Sequence, residues 1–215
     1  MAKSQNPLLS QLSGKLGNLV VYQLMGKTVI RRRPDPGKLY RPSKLQKFNQ
    51  AAFRQIQQFL LPLKDLLDFG FGEYTEGMKK GIHLAMSWAM KHAVYGNEGV
   101  VMLQNTAFRI SKGDLPLPQG VEILKLSPTW VRINWNSGGS LGSARVTDST
   151  WVVLYHPKSK KYQEIREGSH RSNDSQEIHL QGIFKESGVL LFLAFYRKLG
   201  LQKIRFSDSL CFEIP

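Results

Sequence analysis

One cysteine in 215 residues, Cys211, excludes an internal disulfide. Its neighbours Leu210 and Phe212 suit a C-terminal strand, and no base motif stands beside it, so a packed thiol is expected rather than a nucleophile. Acidic residues are scarce: 16 Asp and Glu face 30 Lys and Arg, for a net charge of +14. That balance excludes an acidic, self-solvating chain and favours a polyanionic partner. Long apolar runs are missing too. The longest, Val189 to Phe195, has the length of a strand and falls far short of the roughly 18 residues of a membrane span. The opening MAKSQNPLLSQLSG has no apolar core of a secretory signal, so no membrane span and a cytoplasmic location are expected. Internal repeats and low-complexity tracts are absent.

Catalytic and cofactor signatures are equally sparse. His83, His92, His156, His170 and His179 are scattered, with no Cys pairs and no H-E-x-x-H, so no metal site is expected. Gly26-Lys27-Thr28 spells G-K-T, but a P-loop needs a glycine five residues upstream, where Val21 stands. No serine sits in a nucleophile elbow. Asp65 and Asp68 read as a solvated helix face, and Asp148 as a turn-fixing residue before a strand. No cofactor is implied, and the chain reads as a non-enzyme.

What is present is charge concentrated at one end. Residues 1–47 hold ten Lys and Arg against one acid, a net of +9. Within that stretch two short apolar runs, Leu19 to Tyr22 and Thr28 to Ile30, flank a turn at Met25-Gly26-Lys27, which predicts a β-hairpin. The candidate polyanion-binding residues are Lys15, Lys27, Arg31, Arg32, Arg33, Lys38, Arg41, Lys44 and Lys47, interleaved with Tyr22 and Tyr40. Arginine forks suit phosphate oxygens and tyrosines can stack on bases. The competing expectation is a solvated charged hairpin that docks on its own helices or on an acidic protein surface.

Pro34, Pro36, Gly37 and Pro42 make an extended linker. Ser43 then caps a helix whose apolar face is Leu45, Phe48, Ala52, Ile56, Phe59, Leu60, Leu63 and Leu67, with a break at Pro62 and an end at Gly70 and Gly72. A second helix fits residues 77–95, with Met78, Ile82, Ala85, Met86, Ala89 and Ala93 on one face, and would pair with the first. Short strands are expected at 100–103 and 107–110. LPLPQG at 115–120 reads as a boundary, after which the apolar period changes to two. Seven strands are expected near 121–126, 130–136, 150–156, 162–166, 176–180, 190–196 and 204–212, with Trp135, Tyr155, Leu180, Leu191, Leu193 and Phe195 between two sheets. The expected fold is α+β: a basic hairpin arm and linker (1–42), a helical pair with short strands (43–118) and a seven-stranded immunoglobulin- or fibronectin type III-like β-sandwich (119–215).

Two blocks carry a resemblance. Ser13, Gly14, Lys15, Gly17, Asn18, Val20 and Tyr22, followed by Gly26, Lys27, Ile30, Arg31 and Pro34, match an S-G-K-x-G-N-x-V-x-Y hairpin. Trp135, Asp148, Val152 or Val153, Tyr155, Leu193-Ala194-Phe195 and Ser207 match a C-terminal β-domain pattern. Together they resemble an uncharacterised bacterial family defined only as a domain of unknown function. The triple-Arg exit is more basic than that family's usual single Arg, and the helix lacks its T-P-x-Q entry. The resemblance implies a fold and no activity. Two functions follow as expectations. One is a binding protein whose basic arm engages nucleic acid or another polyanion. The other is a structural or assembly protein of phage-like or mobile-element type. There the hairpin makes subunit contacts within a homo-oligomer or larger assembly, and the sandwich serves as an interaction module.

Overall fold

The computed structural model describes residues 2–4, 6, 11–35, 41–96, 99–137, 142–200 and 203–214. The fold is α+β, with antiparallel sheets. The chain divides into two compact units, Met1–Pro42 and Ser43–Pro215.

The first unit is a four-stranded antiparallel sheet. Its strands are β1 (Ala2–Ser4), β2 (Gly14–Leu16), β3 (Leu19–Leu24) and β4 (Lys27–Arg32), in spatial order β1-β4-β3-β2. The expected hairpin is β3–β4. Leu24 pairs with Lys27 across a two-residue turn in which Met25 and Gly26 both have positive φ (51° and 71°), the requirement of a type I′ turn. The hairpin is not alone, however. The backbone reverses again at Gly17-Asn18, with Gly17 at φ 55°, to add β2, and the N-terminal residues add β1 on the other side. An isolated two-stranded hairpin is marginal in water, and two flanking strands supply what it lacks.

The second unit begins with α1 (Lys44–Leu60). Ser43 Oγ accepts the Gln46 N–H and Gln46 Oε1 accepts the Ser43 N–H, a complete capping box. Pro62 ends α1 in a 3-10 turn, Leu61–Leu63, and the chain re-enters a short helix, α2 (Lys64–Gly70). The second long helix, α3 (Gly81–His92), is shorter than the expected 77–95. Its expected tail is instead strand β5 (Val94–Tyr95), which pairs with β6 (Met102–Leu103). Met78, expected on the buried face, is exposed. Residues 107–110 form no strand; a 3-10 turn covers Asn105–Ala107.

Among the described residues eight strands follow, against the seven expected: β7 (Gln119–Ser127), β8 (Trp130–Asn136), β9 (Ser149–His156), β10 (Lys161–Ile165), β11 (Ser175–His179), β12 (Leu190–Lys198), β13 (Ile204–Phe206) and β14 (Leu210–Glu213). The extra strand arises because the expected 204–212 strand is interrupted at residues 207–209, so that β13 and β14 pair with different ends of β12. One sheet runs β10-β9-β12-β13, with β14 also on β12; the other runs β11-β8-β7.

The larger sheet is covered on both faces. Val152, Leu154, Leu191, Leu193 and Phe195 share a core with Val131, Ile133, Trp135 and Ile178 of the smaller sheet. Trp151, Val153, Tyr155, Phe192 and Tyr196 share another with Ile56, Phe59, Leu67 and Ala89 of the helices. That double burial explains why β9 and β12 read as continuous apolar runs rather than alternating ones. It also corrects one assignment. Tyr155 lies on the helical side of the sheet, not between the sheets, and its hydroxyl donates to the Phe59 carbonyl of α1 at 3.0 Å. Residues 115–120, read as a boundary, run inside this unit, and the helical core continues across them.

Candidate functional site

The strand register sorts the candidate cations by face. Residues directly opposite each other in an antiparallel ladder point the same way. Lys15 pairs with Val20, which pairs with Arg31; Tyr22 pairs with Val29, which pairs with Lys3; Leu24 pairs with Lys27. One face of the four-stranded sheet therefore presents Lys3, Lys15, Lys27 and Arg31 around Val20, Tyr22 and Val29. Val29 is fully buried and Tyr22 half-buried, while all four cations are exposed. With strands about 4.8 Å apart and about 6.8 Å between successive same-face residues, the four charges span three inter-strand gaps and two same-face steps, an area on the order of 14 Å by 14 Å.

The opposite face carries Leu16, Leu19, Val21 and Ile30, with Ala2, Ser4, Gln23 and Thr28. Leu16 and Leu19 face each other across β2–β3 and are 74% and 42% exposed. The alternation thus splits the Arg triplet. Arg31 joins the cationic face, and Arg32, opposite Leu19, lies on the apolar one. Arg33 lies just past the strand, where its N–H donates to the Asn18 carbonyl at 2.7 Å. Arg41 is the penultimate residue of the first unit, and Lys44 and Lys47 stand in the first turn of α1 in the second. Lys38 and Tyr40 lie outside the described residues. Lys3 was not among the residues singled out from sequence. A three-residue terminal strand has too few positions for an alternation to show.

In the second unit several polar residues with possible chemical roles turn out to hold the structure together. Asp148, expected to fix a turn, is fully buried. It accepts the Arg145 N–H at 3.0 Å, takes the Arg197 guanidinium at 2.6 Å and has Arg171 Nε at 3.4 Å. Arg171 also lies 3.9 Å over the Phe195 ring and donates to the Pro116 carbonyl. Burial depresses its guanidinium pKa, and the Asp148 carboxylate acts in the other direction. Asp68 accepts the Gly81 N–H at 2.8 Å and so ties α2 to the start of α3, a firmer role than a solvated face. His156 is buried beside Ser159 rather than on a loop surface. Cys211 is buried in β14, and burial pushes its thiol pKa up, which disfavours the thiolate a nucleophile needs. Among the described residues no three His, Cys, Asp or Glu side chains converge as a metal site would require. No described helix is long and apolar enough to cross a membrane.

Residues 11–208 match the family of unknown function DUF6266, nearly the whole chain. The protein belongs to that family. No curated protein matches it. The residues that carried the resemblance now have physical roles. Gly17 and Gly26 supply the positive φ of the two arm turns. Trp135 donates its indole N–H to the Arg171 carbonyl at 2.8 Å, Asp148 gathers the two arginines, and Tyr155 ties sheet to helix. Ser207 Oγ accepts the Phe195 N–H at 2.9 Å where β13 breaks from β14.

Proposed function

We propose that the protein is a non-enzymatic binding protein whose N-terminal sheet engages nucleic acid, or a polyanion of similar charge density, through its cationic face. The observation that carries this reading is the convergence of Lys3, Lys15, Lys27 and Arg31 around Tyr22 on one face of the sheet, while the other face carries Leu16, Leu19, Val21 and Ile30 with a single cation among the described residues, Arg32. Four exposed cations at phosphate-scale separations favour a backbone track, and Tyr22 offers a ring against which a base can lie. The S-G-K-x-G-N-x-V-x-Y block builds this sheet, so the arm is the natural place for a function shared by relatives of bacterial origin. The second unit's two facing sheets fit an immunoglobulin- or fibronectin type III-like sandwich, a scaffold suited to interaction, in a protein acting in the cytoplasm.

The test is a titration of a labelled single-stranded oligonucleotide at several salt concentrations. Substituting Lys15, Lys27 and Arg31 together with Gln should lower the salt slope by about two to three units, because each lost phosphate contact removes roughly 0.7–0.9 of a unit. Arg32→Gln, on the other face, should change it by less than one such contact. Equal binding by the wild type and the triple variant would overturn the reading.

A second reading has its own observation. Exposed Leu16 and Leu19 beside Val21 and Ile30 give the sheet an apolar face suited to a neighbouring subunit, as in a structural protein of phage-like or mobile-element type. Sedimentation at low and high salt separates the two. Self-association that persists in high salt and is lost in a Leu16→Glu, Leu19→Glu variant favours assembly; a salt-sensitive complex that contains nucleic acid favours the first reading.

A further inference from the structure

We infer that the second unit carries a separate pocket for a small phosphate ester with an aromatic body, built on the outer side of α3. Leu84, Ser87, Trp88 and Lys91 recur at three- and four-residue steps and form one stripe of that helix. With Phe71, His92, Arg109 and Lys112 they line a cavity of about 290 Å³. Its floor is apolar, from Phe71, Leu84 and the Trp88 indole. Its rim holds three permanent cations, Lys91, Arg109 and Lys112, together with His92, and no carboxylate lines it.

The site is preorganised. The His92 ring stacks on Trp88 at 3.8 Å between centroids, and the Arg109 guanidinium lies 3.7 Å from the indole centroid. Trp88 is itself held by its N–H, which donates to the Ala107 carbonyl at 3.0 Å. Asp208 takes one end of the Arg109 fork, Nη1, and among the described residues the other donors of that guanidinium have no partner. Lys112 lies over the Tyr74 ring, and among the described residues neither Lys91 nor Lys112 forms an ion pair.

The last turn of a helix favours basic residues, which accounts for Lys91 and His92. It does not account for Arg109 and Lys112, which arrive from the segment after β6 and bring like charges to the same rim. Asp208 balances one charge of this rim, at Arg109; the remaining like charges repel one another, and a phosphate accepting from the other end of the Arg109 fork and two ammonium groups relieves that repulsion. The apolar floor then selects an ester with a ring over free phosphate.

Calorimetric titration with AMP tests the assignment. It uses full-length protein carrying the Lys15, Lys27 and Arg31 to Gln substitutions, which remove three of the four cations of the arm's candidate face, so that the arm's fate does not decide the result. One AMP should bind per chain, with phenyl phosphate also binding and adenosine or inorganic phosphate at least about tenfold weaker, since each supplies only one half of the contact. Lys91→Gln with Lys112→Gln should weaken AMP at least about tenfold while leaving the melting temperature in place, because both side chains are exposed. No saturable binding of AMP or phenyl phosphate, or binding that the Lys91/Lys112 variant leaves unchanged, would overturn the proposal.

Discussion

Asp148 shows how much a single residue can hold. Its carboxylate is fully buried between two arginines whose side chains are 7% and 10% exposed, and both belong to segments distant in sequence. Replacing one partner of a buried ion pair leaves the others charged and undersolvated, at a cost of about 3–5 kcal/mol. Asp148→Asn is nearly isosteric, so its expected loss of that order in urea unfolding reports charge rather than shape. A change below about 1 kcal/mol would mean the arginines find water instead. Tyr155 gives a prediction in pH. Burial pushes its phenol up to about 12, against about 10 in the unfolded chain. The unfolded state therefore loses its proton first, and stability fully present below pH 10 is lost as pH rises towards 12. Tyr155→Phe should show a shallower alkaline loss over that window. The Cys211 thiol, raised by the same cause, keeps a residual slope in that variant.

At the scale of elements, the pieces with strong local chemistry were legible in the sequence. The Ser43 cap, the Pro62 break and the Met25-Gly26 turn depend on residues close in the chain, and each stands where sequence puts it. Beyond them the reading missed what distant contacts decide: β1 and β2, the strand at Val94–Tyr95 and the interruption at residues 207–209. The candidate site was legible as composition but not as geometry. The count of ten cations is visible in the chain, whereas only the register shows that Arg31 and Arg32 face opposite ways and that Lys3 joins the patch. The I′ turn supplies its own test. Met25 sits at φ 51°, a conformation that is costly for most L-residues and far less so for Asn. Met25→Asn should stabilise the sheet by roughly 0.5–1 kcal/mol and slow amide exchange from Tyr22 to Val29 about two- to fivefold. Unchanged exchange would mean that the flanking strands, rather than the turn, limit opening.

The whole second unit has three layers: helices, the larger sheet and the smaller sheet. A change of period near residue 120 marks where helices give way to strands, and such a change resembles a domain boundary. It is not one in the packing, because β9 and β12 each need a partner on both faces. On the helical side, Trp151, Val153, Tyr155, Phe192, Ala194 and Tyr196 are all within 2% of complete burial. Phe59 meets Phe108 and Tyr155 there in ring contacts of 4.0 and 5.1 Å. Removing residues 43–118 would expose this face to water, an apolar patch far larger than soluble monomers tolerate. A chain of residues 119–215 should accordingly be insoluble, or bind a hydrophobic dye and melt without cooperativity, while residues 43–215 should melt in one transition. A cooperative melt with a β-type circular dichroism spectrum from 119–215 alone would show instead that the smaller sheet suffices, and that the helices are an addition to a domain already complete.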